Sequence, residues 1–142
     1  MNRQTGNLLL VEDNNEHSEL AEFYINEYSE NIQVDRVCDG AEAMAYLDKI
    51  EAVNSVLPWL ILLDLNLPKY GGHELLVRIK TSKRLAGIPV VIFSTSNASQ
   101  DVAQAFNNHA NSYIVKPVDF EKFTETVHQL GMYWLLLNEA PG

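Results

Sequence analysis

A single cysteine, Cys38, rules out an intrachain disulfide. It follows Val37 at the end of a strand-like run and reads as a small core residue. Basic side chains are scarce: 10 Lys and Arg stand against 19 Asp and Glu, a formal net charge of −9. That balance disfavours duplex nucleic acid, whose phosphates reward clustered cations. The one basic cluster, Arg78, Lys80, Lys83 and Arg84, falls at a helix end and reads as a solvated surface favoured by the helix dipole. No apolar run is long enough to span a bilayer, and the polar start from Met1 to Asn7 is no signal segment. The expectation is a soluble, cytoplasmic protein that binds no membrane. No glycine-rich phosphate loop of the Walker or dinucleotide type is present, so a nucleotide is not implied. The four histidines, His17, His73, His109 and His128, lie far apart without metal-ligand spacing and read as surface residues. No repeat, low-complexity tract or linker divides the 142 residues, which suits one domain over 1–142.

What the chain does have is apolar runs that end in polar residues. Trp59 to Leu63 is unbroken, as in a strand buried on both faces of a parallel sheet, and it ends in Asp64. Pro68 and Gly71-Gly72 then punctuate the chain before a helical pattern. Leu8 to Val11 ends in Glu12 and Asp13, and Val90 to Phe93 ends in Ser94, Thr95 and Ser96. Ser112 to Val115 ends in Lys116-Pro117. Ile32 to Val37 alternates with period two, as an edge strand with one wet face would. Helical stripes lie between. Leu20, Ala21, Tyr24 and Ile25 mark a helix over about 15–29, capped by Asn14 or Asp13. Ala43, Met44, Leu47 and Ile50 mark the second; Leu75, Leu76 and Ile79 mark the third, ending near Gly87. Val102, Ala103 and Phe106 mark the fourth. The last runs over about 120–138, with Phe120, Phe123, Val127, Leu130 and Trp134 on one stripe.

Five strands alternating with five helices predict an α/β fold, a flavodoxin-like, doubly wound parallel sheet in the order 2-1-3-4-5. In that order the carboxyl ends of strands 1, 3, 4 and 5 meet at one crevice. They present Glu12, Asp13, Asp64, Ser94 and Lys116 together. Two carboxylates about 4 Å apart repel by about 4 kcal/mol at an effective dielectric of 20. Three therefore call for positive charge among them. Lys116 brings one, and a hard divalent cation would bring more. Mg²⁺ takes oxygen ligands and is held by one or two carboxylates plus a phosphate. With no nucleotide loop, what remains is a carboxylate that itself becomes phosphorylated.

In these motifs the sequence resembles the receiver domain of two-component response regulators. The matching pieces are Leu-Leu-Val-Glu-Asp-Asn (9–14), Asp-Gly-Ala-Glu-Ala-Met (39–44), Leu-Leu-Asp-Leu-Asn-Leu-Pro (62–68), Gly-His-Glu-Leu-Leu (72–76), Ile-Pro-Val-Val-Ile-Phe-Ser (88–94) and Ser-Tyr-Ile-Val-Lys-Pro (112–117). The Leu-Asp-Leu-Asn-Leu-Pro-Lys wording and the Tyr-Trp-Leu ending further resemble stand-alone regulators that partner phytochrome-type histidine kinases. The resemblance implies Asp64 as phosphoacceptor, taking phosphate from a kinase phosphohistidine. It implies Asp13 as direct ligand of Mg²⁺ (or Mn²⁺), Glu12 as the acid that holds the metal through water, and the backbone carbonyl of Asn66 as a further ligand. Ser94 would turn to the phosphoryl oxygen, Lys116 would pair with the phosphoryl group, and Tyr113 would move with the switch. A cis bond at Lys116-Pro117 is also implied. Thr95 after Ser94 departs from the pattern and could share its role. Gly71 stands where an acid or Ser is common, and His109 where Gly is usual.

The expected function is thus that of a signalling phosphoacceptor in a phosphorelay, not an enzyme with a separate substrate. Two alternatives keep the fold: a Mg²⁺-dependent phosphatase, and a receiver-like scaffold that is never phosphorylated. A flavin carrier is disfavoured, because Asp13-Asn14-Asn15-Glu16 would repel a phosphate at the helix start. The last helix carries a second apolar set, Met132, Tyr133, Leu135 and Leu136, which predicts a homodimer through that face. The chain ends at Gly142, so no output domain is expected and the signal leaves by protein–protein contact.

Overall fold

The structure, a computed structural model, describes residues 6–28, 32–52 and 55–137. Five parallel strands form one sheet in the order β2-β1-β3-β4-β5. They are β1 (Gly6–Val11), β2 (Ile32–Val37), β3 (Leu60–Leu63), β4 (Val90–Ser94) and β5 (Ser112–Val115). Between them run α1 (Asn15–Tyr28), α2 (Gly40–Ala52), α3 (Gly72–Lys80) and α4 (Ser99–Asn107), and α5 (Phe120–Gly131) follows β5. This is the predicted doubly wound arrangement. Side chains alternate across the pleat, so each buried strand feeds two cores. Leu9, Val11, Ile61, Leu63, Val90 and Ile92 pack under α2, α3 and the buried Ala105 of α4. Leu8, Leu10, Leu60, Leu62, Val91 and Phe93 pack under Ala21 and Ile25 of α1 and Phe123, Val127 and Leu130 of α5. Register pairs Val11 with Leu63, Leu63 with Ile92, and Ser94 with Val115. The strand ends that carry the polar residues therefore stop at one level.

Local signals account for the boundaries. Asn14 Oδ1 accepts the His17 N–H at 3.0 Å and so caps α1. Asp119 caps α5 by accepting from the Lys122 N–H. His109 has φ of 71°, in the left-handed region where Gly is usual, and Lys69 has φ of 70°, which the sequence did not signal.

Several expectations are corrected. The third helix stops at Lys80, and turns carry the chain from Thr81 to Gly87. Lys80 Nζ donates to the carbonyls of Ala86 and Ile88, replacing helical bonds beyond that end. The basic cluster is accordingly not a solvated surface. Arg78 pairs with Asp48 and Glu51 of α2, and Arg84 donates to the carbonyls of Ile50 and Ser55. These side chains tie α3 and the following turns to α2 and the segment after it, and Lys83 alone of the four is exposed. Cys38 is half-buried, because it lies one residue beyond the end of β2 where the core thins.

The carboxyl-terminal helix also differs. Phe120 is 61% exposed, since it opens the first turn of α5 beyond the edge of the core. After Gly131 the chain widens into a π-helical stretch, Met132–Leu137. An i→i+5 turn follows Leu130 with Leu135, where an α-helix would follow it with Trp134. Leu135 is buried and Trp134 only half-buried, although the predicted stripe had them the other way. Met132 and Tyr133 are exposed; the side chain of Leu136 and the end of the predicted helix at Asn138 lie outside the described residues.

Candidate functional site

Four strand ends deliver the site. The Glu12 N–H bonds to the Val37 carbonyl and the Asp64 N–H to the Val11 carbonyl, each at 3.1 Å, so both acids leave the sheet on ladder-held backbone. Arg36 of β2 grips the Glu12 carbonyl with Nε and Nη2 at 3.1 and 3.0 Å. Gly72 seats the start of α3 against Asp64 and Leu65, where a Cβ would overlap the Asp64 carbonyl oxygen. Lys116 follows β5, and its N–H bonds the Ser94 carbonyl at 2.7 Å.

Glu12, Asp13 and Asp64 each offer a carboxylate oxygen within 4.8 Å of the others. Glu12 and Asp64 are buried and Asp13 is exposed. Lys116, itself buried, reaches in from the far side. Its Nζ lies 2.6 Å from Glu12 Oε1 and 3.1 Å from Asp64 Oδ2. Asp64 Oδ1 accepts the Asn66 N–H at 3.2 Å, and Glu12 Oε2 accepts the Asn14 N–H at 3.2 Å. Burial pushes the Glu12 carboxyl up to about 7, against the lowering pull of Lys116. A buried acid held so far above its ordinary range is one whose proton a divalent cation would displace. The oxygen-only donor set, with one exposed and two buried carboxylates, fits such an ion.

The remaining predicted residues fall nearby in different settings. Ser94 is fully buried, and its Oγ accepts the Ser96 N–H at 3.2 Å; no hydrogen bond joins it to Asp64 among the described residues. Thr95 faces solvent, so it does not share the place of Ser94: successive side chains at the end of β4 alternate in direction. Tyr113 is half-buried and donates its hydroxyl to the Ser96 carbonyl at 2.8 Å. Asn66 is exposed beside Asp64. The Lys116-Pro117 bond is trans, contrary to the expected cis bond. An X–Pro amide favours trans by about 0.5–1 kcal/mol, and in this geometry Lys116 reaches both acids without a cis turn.

One residue was missed. His17 is half-buried, not a surface side chain: its Nδ1 lies 3.0 Å from Lys116 Nζ and its ring packs on Phe123 at 5.0 Å. The available signal was its place, in the first turn of α1, one helical turn beyond the acids of β1. Burial first, then the Lys116 charge, hold its pKa below the ordinary value. His73 is likewise engaged, with Nε2 3.1 Å from Asp101 Oδ1.

Comparison with known proteins decides the family. The profile of the response regulator receiver domain matches residues 8–128. The chain belongs to the response regulator receiver family. It is 43% identical over 135 residues to the probable methanogenesis regulatory protein FilR2 of Methanothrix harundinacea, covering 95% of this chain and 87% of that one. It is 37% identical over 129 residues to the response regulator Rcp1 of Synechocystis, covering 90% of this chain and 88% of that one. The Mn²⁺-bound form of Rcp1 superposes with a TM-score of 0.89 at 36% identity, covering 96% and 99% of the two chains. The phosphorylated cyanobacterial phytochrome response regulator RcpA superposes with a TM-score of 0.90 at 38% identity over the same shares. The receiver thus lies close, in sequence and structure, to phytochrome-associated response regulators, and its function is that of a phosphorelay response regulator.

Proposed function

We propose that Asp64 is the phosphoacceptor and that the partner is a histidine kinase, of the phytochrome type. The observation that carries the reading is the buried Asp64 carboxylate, flanked by two further acids and held by the Lys116 ammonium at 3.1 Å. In the reaction an Asp64 carboxylate oxygen attacks phosphorus, the N–P bond of the donor phosphohistidine breaks, and its electron pair stays on the imidazole nitrogen, which is reprotonated. Asp13, Glu12, Asp64 and the Asn66 carbonyl would hold Mg²⁺, or Mn²⁺, as Rcp1 does Mn²⁺. When bound, that ion neutralises charge on the transferring phosphoryl group. Lys116 neutralises charge from the opposite side.

Phosphorylation adds a charge of about −1.5 to −2 and three acceptors. Ser94 Oγ accepts the Ser96 N–H and keeps its own O–H to donate, so its turn toward a phosphoryl oxygen pulls on that bond. Ser96 also carries Tyr113 on its carbonyl, so the β4–α4 loop and β5 change together. The signal leaves by protein–protein contact. Exposed Val115 and Tyr133, with half-buried Ile114 and Trp134, border a groove of about 590 Å³ along β5 and α5. That face supports a homodimer, read by light scattering with and without phosphorylation. No helix among the described residues is long and apolar enough to cross a membrane.

The test is intact mass after incubation with a small acyl phosphate and Mg²⁺. One phosphoryl group is expected on the wild type and none on Asp64→Asn. No gain of mass in the wild type, where a known receiver is labelled, overturns the reading in favour of an unphosphorylated scaffold.

A further inference from the structure

We propose that His17 is a positioning residue for Lys116, the third acceptor of its ammonium group, and that it keeps that group aimed at the phosphoryl site when the acids are otherwise engaged. The inference rests on the reading of Asp64 as the phosphoacceptor.

A lysine ammonium has three N–H donors and accepts nothing. Lys116 is offered three acceptors: Glu12 Oε1 at 2.6 Å, Asp64 Oδ2 at 3.1 Å and His17 Nδ1 at 3.0 Å. The tripod matches the three protons one to one. Because lysine only donates, Nδ1 must present its lone pair, which assigns the proton to Nε2 and makes the imidazole neutral. Burial and the neighbouring ammonium both favour that neutral form.

The three arms differ in what phosphorylation does to them. Asp64 becomes an acyl phosphate, and its carboxylate charge moves outward onto the phosphoryl oxygens. Glu12 belongs to the acid cluster that a cation would claim. His17 is neutral, belongs to no acid cluster, and keeps its lone pair throughout. It is also held in place. Its backbone N–H is bound to Asn14 Oδ1 at 3.0 Å, and its ring rests on Phe123, which is buried and packs on Phe93 at 5.5 Å. A lysine has a flexible four-carbon stem and a strongly hydrated head, so a fixed third partner restricts where that head goes. Phe93, 5.8 Å from Nζ, bounds the same space.

The experiment compares wild type, His17→Phe, His17→Leu and His17→Asn. Phe keeps a ring on Phe123 without an acceptor, Leu keeps apolar bulk, and Asn returns an oxygen near the place of Nδ1. Each protein is labelled with a small acyl phosphate and Mg²⁺, titrated with beryllofluoride as a phosphoryl mimic, titrated calorimetrically with Mg²⁺ alone, and melted. Loss of one hydrogen bond to a charged group predicts labelling about tenfold slower and beryllofluoride binding about tenfold weaker in the Phe and Leu variants. Mg²⁺ affinity stays within about threefold, and Asn recovers most of the loss. Either non-accepting variant that keeps the wild-type melting midpoint serves. Wild-type labelling and beryllofluoride affinity in such a variant overturn the proposal. So does an Asn variant as impaired as the Phe variant, which makes His17 a packing residue. A wild type that gains no mass instead removes the reading of Asp64 and this inference with it, an outcome distinct from equal labelling of all four proteins.

Discussion

Tyr113 donates its hydroxyl to the backbone carbonyl of Ser96 across 2.8 Å, and the Ser96 N–H donates in turn to Ser94 Oγ. A single residue of the β4–α4 loop thus joins the buried hydroxyl at the site to an aromatic ring on the edge strand. Ser96 Oγ also donates to Asp101 of α4, whose other oxygen meets His73 of α3. The loop is therefore tied to β4, β5 and α4 at once.

Replacing Tyr113 by Phe removes one half-buried hydrogen bond and keeps the ring. The expected cost is about 1 kcal/mol of unfolding free energy, measured by urea denaturation. Labelling of Asp64 by a small phosphodonor continues, because the hydroxyl contacts none of the acids or Lys116. A Tyr113→Phe protein that no longer gains phosphate would show that the ring hydroxyl serves the site and not the loop.

Glu12 links the site to pH. Its folded-state pKa is raised from 4.5 to about 7, chiefly by burial. Between those values the folded protein keeps a proton that the unfolded chain releases. This group's stabilisation is complete below pH 4.5 and is lost as pH rises through about 7. A bound cation works in the opposite direction, since it must expel that proton. Calorimetric titration with Mg²⁺ is expected to give about tenfold tighter binding near pH 8 than near pH 6, with more protons released at the lower pH. Glu12→Gln should flatten that dependence. A wild-type affinity that does not change with pH would mean that Glu12 is already ionised in the metal-free protein.

The glycines that open α3 are predicted to behave oppositely. A Cβ at Gly72 overlaps backbone atoms of Asp64 and Leu65, whereas a Cβ at Gly71 meets nothing within 4 Å. Gly72→Ala must push the Asp64 loop away, so a loss of about 2 kcal/mol or more and slower labelling are expected. Gly71 is the N-cap of α3, with no side-chain bond to the helix and φ of −70°. Gly71→Ser places a capping oxygen there without strain and should stabilise by a few tenths of a kcal/mol. Thermal melts of both variants check the contrast.

The sheet order, the ten elements and the convergence of Glu12, Asp13, Asp64 and Lys116 were legible in the sequence. Each rests on a strong local signal: an unbroken apolar run, a helical stripe, or a polar residue where a run stops. What was not legible depends on contacts between distant segments. The roles of Arg78, Lys80 and Arg84 as ties to Glu51, Ile88 and Ser55 cannot be read from a charge cluster alone. Nor can the partnership of His17 with Lys116, which are 99 residues apart. The family motifs carried the expectation of a cis Lys116-Pro117 bond, whereas the intrinsic trans preference of the amide is what this chain shows. The exposure of Thr95 follows from strand alternation and could have been read from Ser94 outward.

The π-helical stretch gives the last prediction. A regular 3.6-residue period puts Trp134 on the core stripe below Leu130, but the wider turn puts Leu135 there. Leu135→Ala should therefore cost about 2–5 kcal/mol, as for a buried leucine that leaves a cavity. Met132→Ser, on an exposed side chain, should fall within about 0.5 kcal/mol of wild type. An uninterrupted α-helix predicts a small effect at Leu135, because that position would turn away from the Leu8, Leu10 and Ile25 core. Urea unfolding of the two variants separates these registers. It also bears on assembly: with Leu135 spent inward, the exposed apolar side chains left to a dimer contact on the β5–α5 groove are Tyr133 and Val115. Tyr133→Ser, on an exposed side chain that lines this groove, should then weaken self-association more than it costs the monomer, a separation that concentration-dependent light scattering resolves.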